Sequence, residues 1–588
     1  MHRSRQHRIF YGWMLLAILL FLLMGRLAWI QLVMKHQHMP GTKRTLLESS
    51  KLQRERAVVL DTGRGHFLDR NGSALTGKLI WTAVLFPVPE RSMLSEDSIE
   101  RTAEILQSDP NDLTKIWTGL KEPRLWHGKD GRLPVPLSEQ QQQALTALQL
   151  PYVKILPYEQ RYGDMESGMQ WLGFISGQRK ENQFFEHYQN VMGTSGLEKT
   201  LDPLLQGISP TIISFTVDSK NRLIQEFDPM VKADSNPYYP LRFTTTVDRT
   251  IQKGIEKLMS EAGVKEGAVV VQDVSNGDII AMVSLPFYNP ERVNPEEGQW
   301  ENRALQSTSP GSVFKIITAA AALETGAVSA KDTFHCSGQF GHYGLSCWKE
   351  HGHGTLDLRE GFAQSCNVVF AELGTRLSGA QIQDTANKLG LGYEAGWQAA
   401  HVLGLKLFKP LDHEERGMVF AQGTDSRDEG VRVQTAIGQR DVSMTPLQAS
   451  NLIVTLLNEG RGFRPRMISR ISYANGQELH SFPVLQNRLF DTISKKTART
   501  LLEWMQDVVN EGTGKTLKKT AAWQLAGKSG TAEVLSKGSP RNNQWFVGYG
   551  PVKQPRYAVS VLVKNMKPGS RHQATDLFGD IMNLLAGT

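Results

Sequence analysis

An α+β protein held at a membrane by one N-terminal helix is the fold class this sequence predicts, and three observations predict it. The run from Ile9 to Met34, IFYGWMLLAILLFLLMGRLAWIQLVM, is apolar apart from Arg26. Residues 35–240 mix short strand-like runs with polar helical runs such as SEDSIERTAEILQSDPNDLTKIW, without a uniform period. From Leu241 onward a strand hairpin, a long helical stretch and three late strands follow in turn. That order suits a mainly antiparallel sheet flanked by helices.

The first run is long enough to cross a hydrocarbon core of about 30 Å as a helix. No small-x-small cleavage site follows it, so an uncleaved anchor over residues 9–34, behind a tail of residues 1–8, is expected. Arg3, Arg5 and Arg8 precede the span while Lys35, Lys43 and Arg44 follow it, so charge alone does not orient it. Arg26 is expected to snorkel to the headgroups. A chain of 588 residues, 40% hydrophobic and 21% charged, can bury more than one core. Of the formal charge of +7, five positive charges lie in residues 1–35 with no acid among them, which leaves about +2 for the rest. The basic excess therefore sits at the membrane end, and a nucleic-acid-binding surface is excluded.

Composition shifts at SNPYYPLRF, so a domain boundary is placed near Leu241, and TTTVDRTIQKGIEKLM then starts a strand and an amphipathic helix. GAVVVQDVSNGDIIAMVS is two apolar strands joined through Asn276-Gly277, a hairpin signal. QLAGKSGTAEVL, NQWFVGYGP and RYAVSVLVKN are the late strands; in the last, Tyr557, Val559, Val561 and Val563 alternate with Ala558, Ser560 and Leu562. A closing helix over Ala574 to Leu585 puts Leu577, Phe578, Ile581, Leu584 and Leu585 on one face.

Chemistry is signalled by three motifs. In PGSVFKIITAAAALETG, Ser312 and Lys315 stand three apart at a helix start, which places both side chains on one face. A serine hydroxyl needs a base, and a lysine kept neutral by desolvation and neighbouring cations can be one. Alone, the pair proves little, because Ser312 would also serve as an ordinary N-cap. Ser365-Cys366-Asn367 and Lys528-Ser529-Gly530-Thr531 follow in order. Ser-x-x-Lys, Ser-Asp-Asn and Lys-Thr-Gly together are the signature of serine β-lactamases and penicillin-binding proteins; here Cys366 stands at the centre of the second motif and Ser529 replaces the threonine of the third, both chemically tolerable. On that pattern Ser312, Lys315, Ser365, Asn367 and Lys528 are the expected catalytic set, with Ser365 relaying a proton and Asn367 holding the substrate amide. Ser529, Gly530 and Thr531 are expected to bind substrate, the hydroxyls on a terminal carboxylate and the glycine by admitting the substrate backbone.

At these residues the chain resembles the class B penicillin-binding proteins. RGHFLDRNG (Arg64 to Gly72) is similar to the family's first accessory motif, and GTSGLEKTLD (Gly193 to Asp202) to the one that packs the accessory domain on the catalytic one. TVDRTIQ, GDIIAMVSLPFYNP, NRALQSTSPGSVFK and MTPLQAS match the flanks of the catalytic fold. The resemblance implies a pedestal over residues 35–240 and a transpeptidase domain, related in fold to serine β-lactamases, over 241–588. It implies an acyl-enzyme on Ser312 made from D-Ala-D-Ala stem peptides, passed to an amine of a neighbouring strand and blocked by β-lactams. It also implies a catalytic domain outside the cell membrane and a polytopic membrane glycosyltransferase as partner. Two departures stand out. The pedestal's Arg-x-Tyr-Pro appears only as Arg161-Tyr162-Gly163, and Arg440 stands where a glycine is usual.

Rival readings are weaker. No Glu-x-Glu-Leu-Asn segment lies between Asn367 and Lys528 to support a β-lactamase, and ENQFFEHYQNVMG (Glu181 to Gly193) only superficially resembles a glycosyltransferase motif. A D,D-carboxypeptidase would use the same site with a different acceptor. A non-catalytic β-lactam sensor would need a signalling part, for which the stretch before the span is too short; a scaffold remains the other alternative. HCSGQFGHYGLSCWKEHGHG brings His335, Cys336, His342, Cys347, His351 and His353 close in sequence, but without the close Cys pair of common zinc sites. No metal and no cofactor are expected. Among the three cysteines, a disulfide between Cys347 and Cys366 would tether the second motif, one between Cys336 and Cys347 would only close a loop, and three free thiols are the default.

Overall fold

The computed structural model describes residues 2–588 apart from 35–36, 38–44, 46–53, 89–94, 129–130, 132, 151, 164–165, 179–189, 219–223, 225–229, 234–235, 330–331 and 537. Most of the ENQFFEHYQNVMG run, and Lys35, Lys43 and Arg44, lie outside the described residues. The chain forms two compact units. The first comprises Met1–Thr62, Leu79–Gln160 and Ser209–Ser235; the second comprises Gly63–Lys78, Arg161–Ile208 and Asn236–Thr588. Two segments of the expected pedestal region thus pack with the residues that follow Asn236.

In the first unit, a helix spans His2–Leu32, and its portion His7–Leu32 has a mean hydropathy of 2.2 with no residue buried against protein. It runs through the expected tail and ends two residues before Met34. The polar run becomes two helices, Glu96–Ile105 and Pro110–Thr118, because each has its own cap. Ser95 accepts from Ser98 N, and Asp109 accepts from Asn111 N and Asp112 N ahead of a proline in the first turn. Trp117 closes the core of this unit, and its indole N–H donates to Phe86 O at 2.9 Å.

The second unit is built on a five-stranded antiparallel sheet of β1 (Gly267–Asp273), β2 (Ile279–Leu285), β3 (Ala526–Ser536), β4 (Ser539–Gly550) and β5 (Tyr557–Met566), in the order β2-β1-β5-β4-β3. Asn276-Gly277 lies in the β1–β2 turn, where Gly277 adopts φ 75° and its N–H donates to Asp273 O at 2.8 Å. Asp248 caps the helix Arg249–Glu261, which packs with Gln573–Ala586 on one sheet face through Ile255, Met259, Phe578 and Ile581. The opposite face carries the helical block, including Lys315–Thr325, Pro446–Leu457 and Lys495–Asn510. Burying each large aliphatic side chain contributes about 1.5–3 kcal/mol. Because β3 is the last strand, one side of its backbone ladder is free of sheet partners.

Within the same unit the two accessory motifs meet around Glu198, which is fully buried. Arg64 Nε donates to Glu198 Oε2 at 2.7 Å, Arg161 Nε donates to Oε1 at 2.8 Å, and the Tyr162 hydroxyl donates to Oε1 at 2.9 Å. Arg64 also pairs with Asp202 at 2.7 Å. The shortened Arg161-Tyr162-Gly163 motif therefore still supplies its arginine and tyrosine.

Candidate active site

Ser312 lies in a 3₁₀ turn, Gly311–Val313, one step ahead of the helix Lys315–Thr325. The helix N-cap is Phe314, so Ser312 caps nothing, and among the described residues its hydroxyl makes no hydrogen bond. The turn is held by backbone contact that only glycines allow. A Cβ on Gly311 (φ 53°) would meet Thr531 O at 2.2 Å, one on Gly438 would meet Gly311 O at 1.9 Å, and one on Gly530 would meet Pro310 O at 2.6 Å. The missing side chain of Gly530 also admits the nucleophile turn against β3, a close approach the spacing could not reveal. Trp545, on β4, adds a hydrogen bond from its indole N–H to Ser309 O at 3.0 Å.

Lys315 is wholly buried on the first turn of its helix. Its Nζ donates to Ser365 O and to Asn367 Oδ1, both at 2.8 Å, and lies 3.4 Å from Ser365 Oγ. Lys528 reaches the same hydroxyl from β3, Nζ to Ser365 Oγ at 2.9 Å, and also donates to Ser529 O at 3.1 Å. Burial pulls Lys315 down to about 7, against a smaller upward pull from Cys366 and Cys347. Lys528 is pushed well below the ordinary lysine range, first by burial and then by the charge of Lys315. With its pKa lowered to about 7, Lys315 can exist as a free amine near neutral pH, held against Ser365 and Asn367.

Ser365 sits between the helices Leu358–Ala363 and Asn367–Arg376 with φ 53°, a left-handed conformation costing about 1–2 kcal/mol for a side-chain-bearing residue. The lysine contacts to its carbonyl and hydroxyl hold it there. Asn367 has its Oδ1 on Lys315, and its Nδ2 donates to Ser346 O at 2.9 Å, so only one amide hydrogen is left for an amide ligand. The site is completed by residues outside the three motifs. Thr513 Oγ1 lies 2.6 Å from Ser529 Oγ. His572 Nε2 is 3.1 Å from Gly530 O and its Nδ1 is 2.7 Å from Thr575 Oγ1. Burial lowers the His572 pKa, and because a carbonyl can only accept, Nε2–H donates to Gly530 O. Only the Gly-Thr-Gly run before the strand hinted at Thr513; nothing local marked His572.

All three cysteines are free thiols and buried. The Cys347 and Cys366 sulfurs stand 3.9 Å apart, unbonded, within reach of a sulfur hydrogen bond. That hydrogen bond holds the Cys347 thiol below the ordinary range and pushes Cys366 up. Among the described residues of the run, His353 joins them: one donor atom each from Cys336, Cys347, His353 and Cys366 lie within 4.8 Å of one another. These four donors converge from separate parts of the chain and could hold a metal ion.

An unpaired serine backed by a desolvated lysine, at the edge of an antiparallel sheet, defines a serine acyltransferase. Residues 267–583 match the penicillin binding protein transpeptidase domain, and residues 60–235 match the penicillin-binding protein dimerisation domain. The chain belongs to the class B penicillin-binding proteins and is a serine-type peptidoglycan D,D-transpeptidase. It is 28% identical over 577 residues to stage V sporulation protein D of Bacillus subtilis, covering 94% of this chain and 81% of that one. To the peptidoglycan D,D-transpeptidase MrdA of Acinetobacter baumannii it is 25% identical over 619 residues, covering 96% and 86%. In fold it is similar to a chain of a structure described as "Structural coordination of polymerization and crosslinking by a peptidoglycan synthase complex", with TM-score 0.65, 22% identity and coverage of 98% and 97%. The penicillin-binding protein PBP2 from Helicobacter pylori gives TM-score 0.62 at 21% identity, covering 90% and 99%.

Proposed function

We propose that Ser312 attacks the carbonyl between the two D-alanines of a stem peptide while the Lys315 lone pair takes its proton. One observation carries this: Lys315 is wholly buried against Ser365 O and Asn367 Oδ1, and burial lowers its pKa to about 7, which favours the free amine a base needs. The proton reaches the departing D-alanine amine through the Ser365 hydroxyl, which contacts both lysines. Backbone N–H groups of Ser312 and Thr531 stabilise the oxyanion. The substrate adds along the free edge of β3, its carboxylate on Ser529 and Thr531 in the positive field of Lys528. An amine of a neighbouring strand then releases the acyl group, and a β-lactam occupies the same place.

The helix His2–Leu32 supports a single-pass anchor, and the family matches over 60–235 and 267–583 support a pedestal over 35–240 and a transpeptidase domain over 241–588, which the external substrate would place outside the cell membrane. Similarity to a chain of a peptidoglycan synthase complex, and to a PBP2 solved with MreC, supports a membrane glycosyltransferase and scaffold proteins as partners. Purified full-length protein given uncross-linked glycan strands should yield cross-linked dimers of stem peptides. Release of D-alanine without cross-links would instead make it a carboxypeptidase. Protease added outside intact spheroplasts should digest the chain beyond Met34; full protection would overturn the topology.

A further inference from the structure

Cys336, Cys347, His353 and Cys366 come from different elements, and the backbone is shaped to bring them together. Cys336 ends the strand Thr333–Cys336 and is registered opposite Gly354, which places His353 beside it. Cys347 follows the strand Leu345–Ser346, whose Ser346 carbonyl accepts from Asn367, and Cys366 is the N-cap of Asn367–Arg376. The connecting loop is closed by two left-handed glycines with no room for a side chain. A Cβ on Gly352 would meet Cys336 O at 2.1 Å, and one on Gly338 would meet Glu350 O at 2.4 Å.

All four donor atoms lie within 4.8 Å of one another, and three of their separations are those of a coordination shell. Cys347 and Cys366 Sγ are 3.9 Å apart, and His353 Nδ1 lies 3.4 Å from Cys347 Sγ and 3.6 Å from Cys336 Sγ. A tetrahedral cation bonded at about 2.3 Å to sulfur and about 2.0–2.1 Å to nitrogen requires edges of about 3.8 Å between sulfurs and about 3.5 Å between sulfur and nitrogen. A disulfide would require about 2.0 Å and would use neither the histidine nor the third sulfur. Three soft sulfurs and an imidazole, all in a buried site, select a d¹⁰ cation over the hard ions that favour oxygen.

We propose that these four residues bind one Zn²⁺, and that the ion positions the Ser365–Asn367 turn by tying Cys366, its central residue, to Cys336, Cys347 and His353. The positioning half rests on the catalytic reading of Ser365 and Asn367; the binding half does not.

The test uses detergent-solubilised full-length protein prepared with reductant. Zinc should be present at about one per chain. After chelation, added Co²⁺ should give thiolate-to-cobalt charge-transfer and tetrahedral d–d bands that saturate at one equivalent and vanish on adding Zn²⁺. Cys336→Ser, which lies away from the catalytic turn, should weaken metal binding by about 100-fold. Chelation should slow penicillin acylation by about tenfold, with recovery on adding Zn²⁺. Absence of the cobalt bands, a Cys347–Cys366 disulfide in the reduced preparation, or unchanged affinity in Cys336→Ser would overturn the site. Acylation indifferent to metal removal would overturn its positioning role. Ser312→Ala should bind cobalt unchanged while losing acylation, so a failure of the catalytic reading and a failure of the metal site are told apart; should Cys336→Ser not fold, the zinc content and cobalt spectrum of the unaltered protein still decide.

Discussion

Two buried charge clusters in the second unit show opposite uses of burial. Around Glu198, Arg64, Arg161 and Tyr162 surround one carboxylate, and Asp202 balances the second guanidinium. Around Ser365, two lysines share one hydroxyl, and among the described residues neither makes an ion pair. In the first cluster, desolvation is offset by pairing, and the charges stay fixed. In the second it is not offset, so the lysines shift towards neutrality and become proton carriers. One cluster is a fastener and the other a reagent.

That contrast breaks most sharply at Lys315. Lys315→Ala removes the base and should slow penicillin acylation by about 10²–10⁴-fold, measured by stopped-flow, while the protein loses little stability because a desolvated amine is removed. A stable variant acylating at the unaltered rate would show that Lys528 is the base. Glu198→Ala should do the reverse. Leaving Arg64 and Arg161 buried without their shared carboxylate should cost about 3–5 kcal/mol, read from denaturant unfolding of the soluble domain region within the intact chain, with the acylation rate of the folded fraction unchanged.

Titration sharpens the same comparison. Because Lys315 acts as a free amine and its pKa is lowered to about 7, acylation should fall as pH drops through about 7, approaching tenfold per pH unit below it, and should level off above. A rate flat down to pH about 5 would mean that the lysine is already neutral there or is not the base. The smallest expected effect lies at Arg440, exposed and left-handed at φ 62°. The glycine usual in the family is explained by that angle, and Arg440→Gly should stabilise the fold by about 1 kcal/mol without touching the chemistry.

Much of this was legible in the chain. The three motifs announced Ser312, Lys315, Ser365, Asn367 and Lys528, and alternation or turn chemistry announced β1, β2 and β5. What was hidden depends on contacts distant in sequence. Gly530 lies against Pro310 O because β3 and the nucleophile turn touch through backbone, which no local pattern encodes. His572 reaches Gly530 from the closing helix, and His353 reaches Cys336, Cys347 and Cys366 only once the loop between Gly338 and Gly352 has folded back. Spacing rules look for close cysteine pairs, and here the pairs are made by topology. The overrun of the first helix to His2 has a simpler cause: helical hydrogen bonding continues past the apolar residues that define a span.

The most direct test of the account is intact mass spectrometry of wild type and Ser312→Ala after brief exposure to penicillin. Wild type should gain one covalent penicilloyl group, mapped to the peptide containing Ser312, and should keep it, because no second base for water stands in the three motifs. Ser312→Ala should remain folded and gain none. An adduct of the same mass on Ser312→Ala would contradict the assignment of the nucleophile.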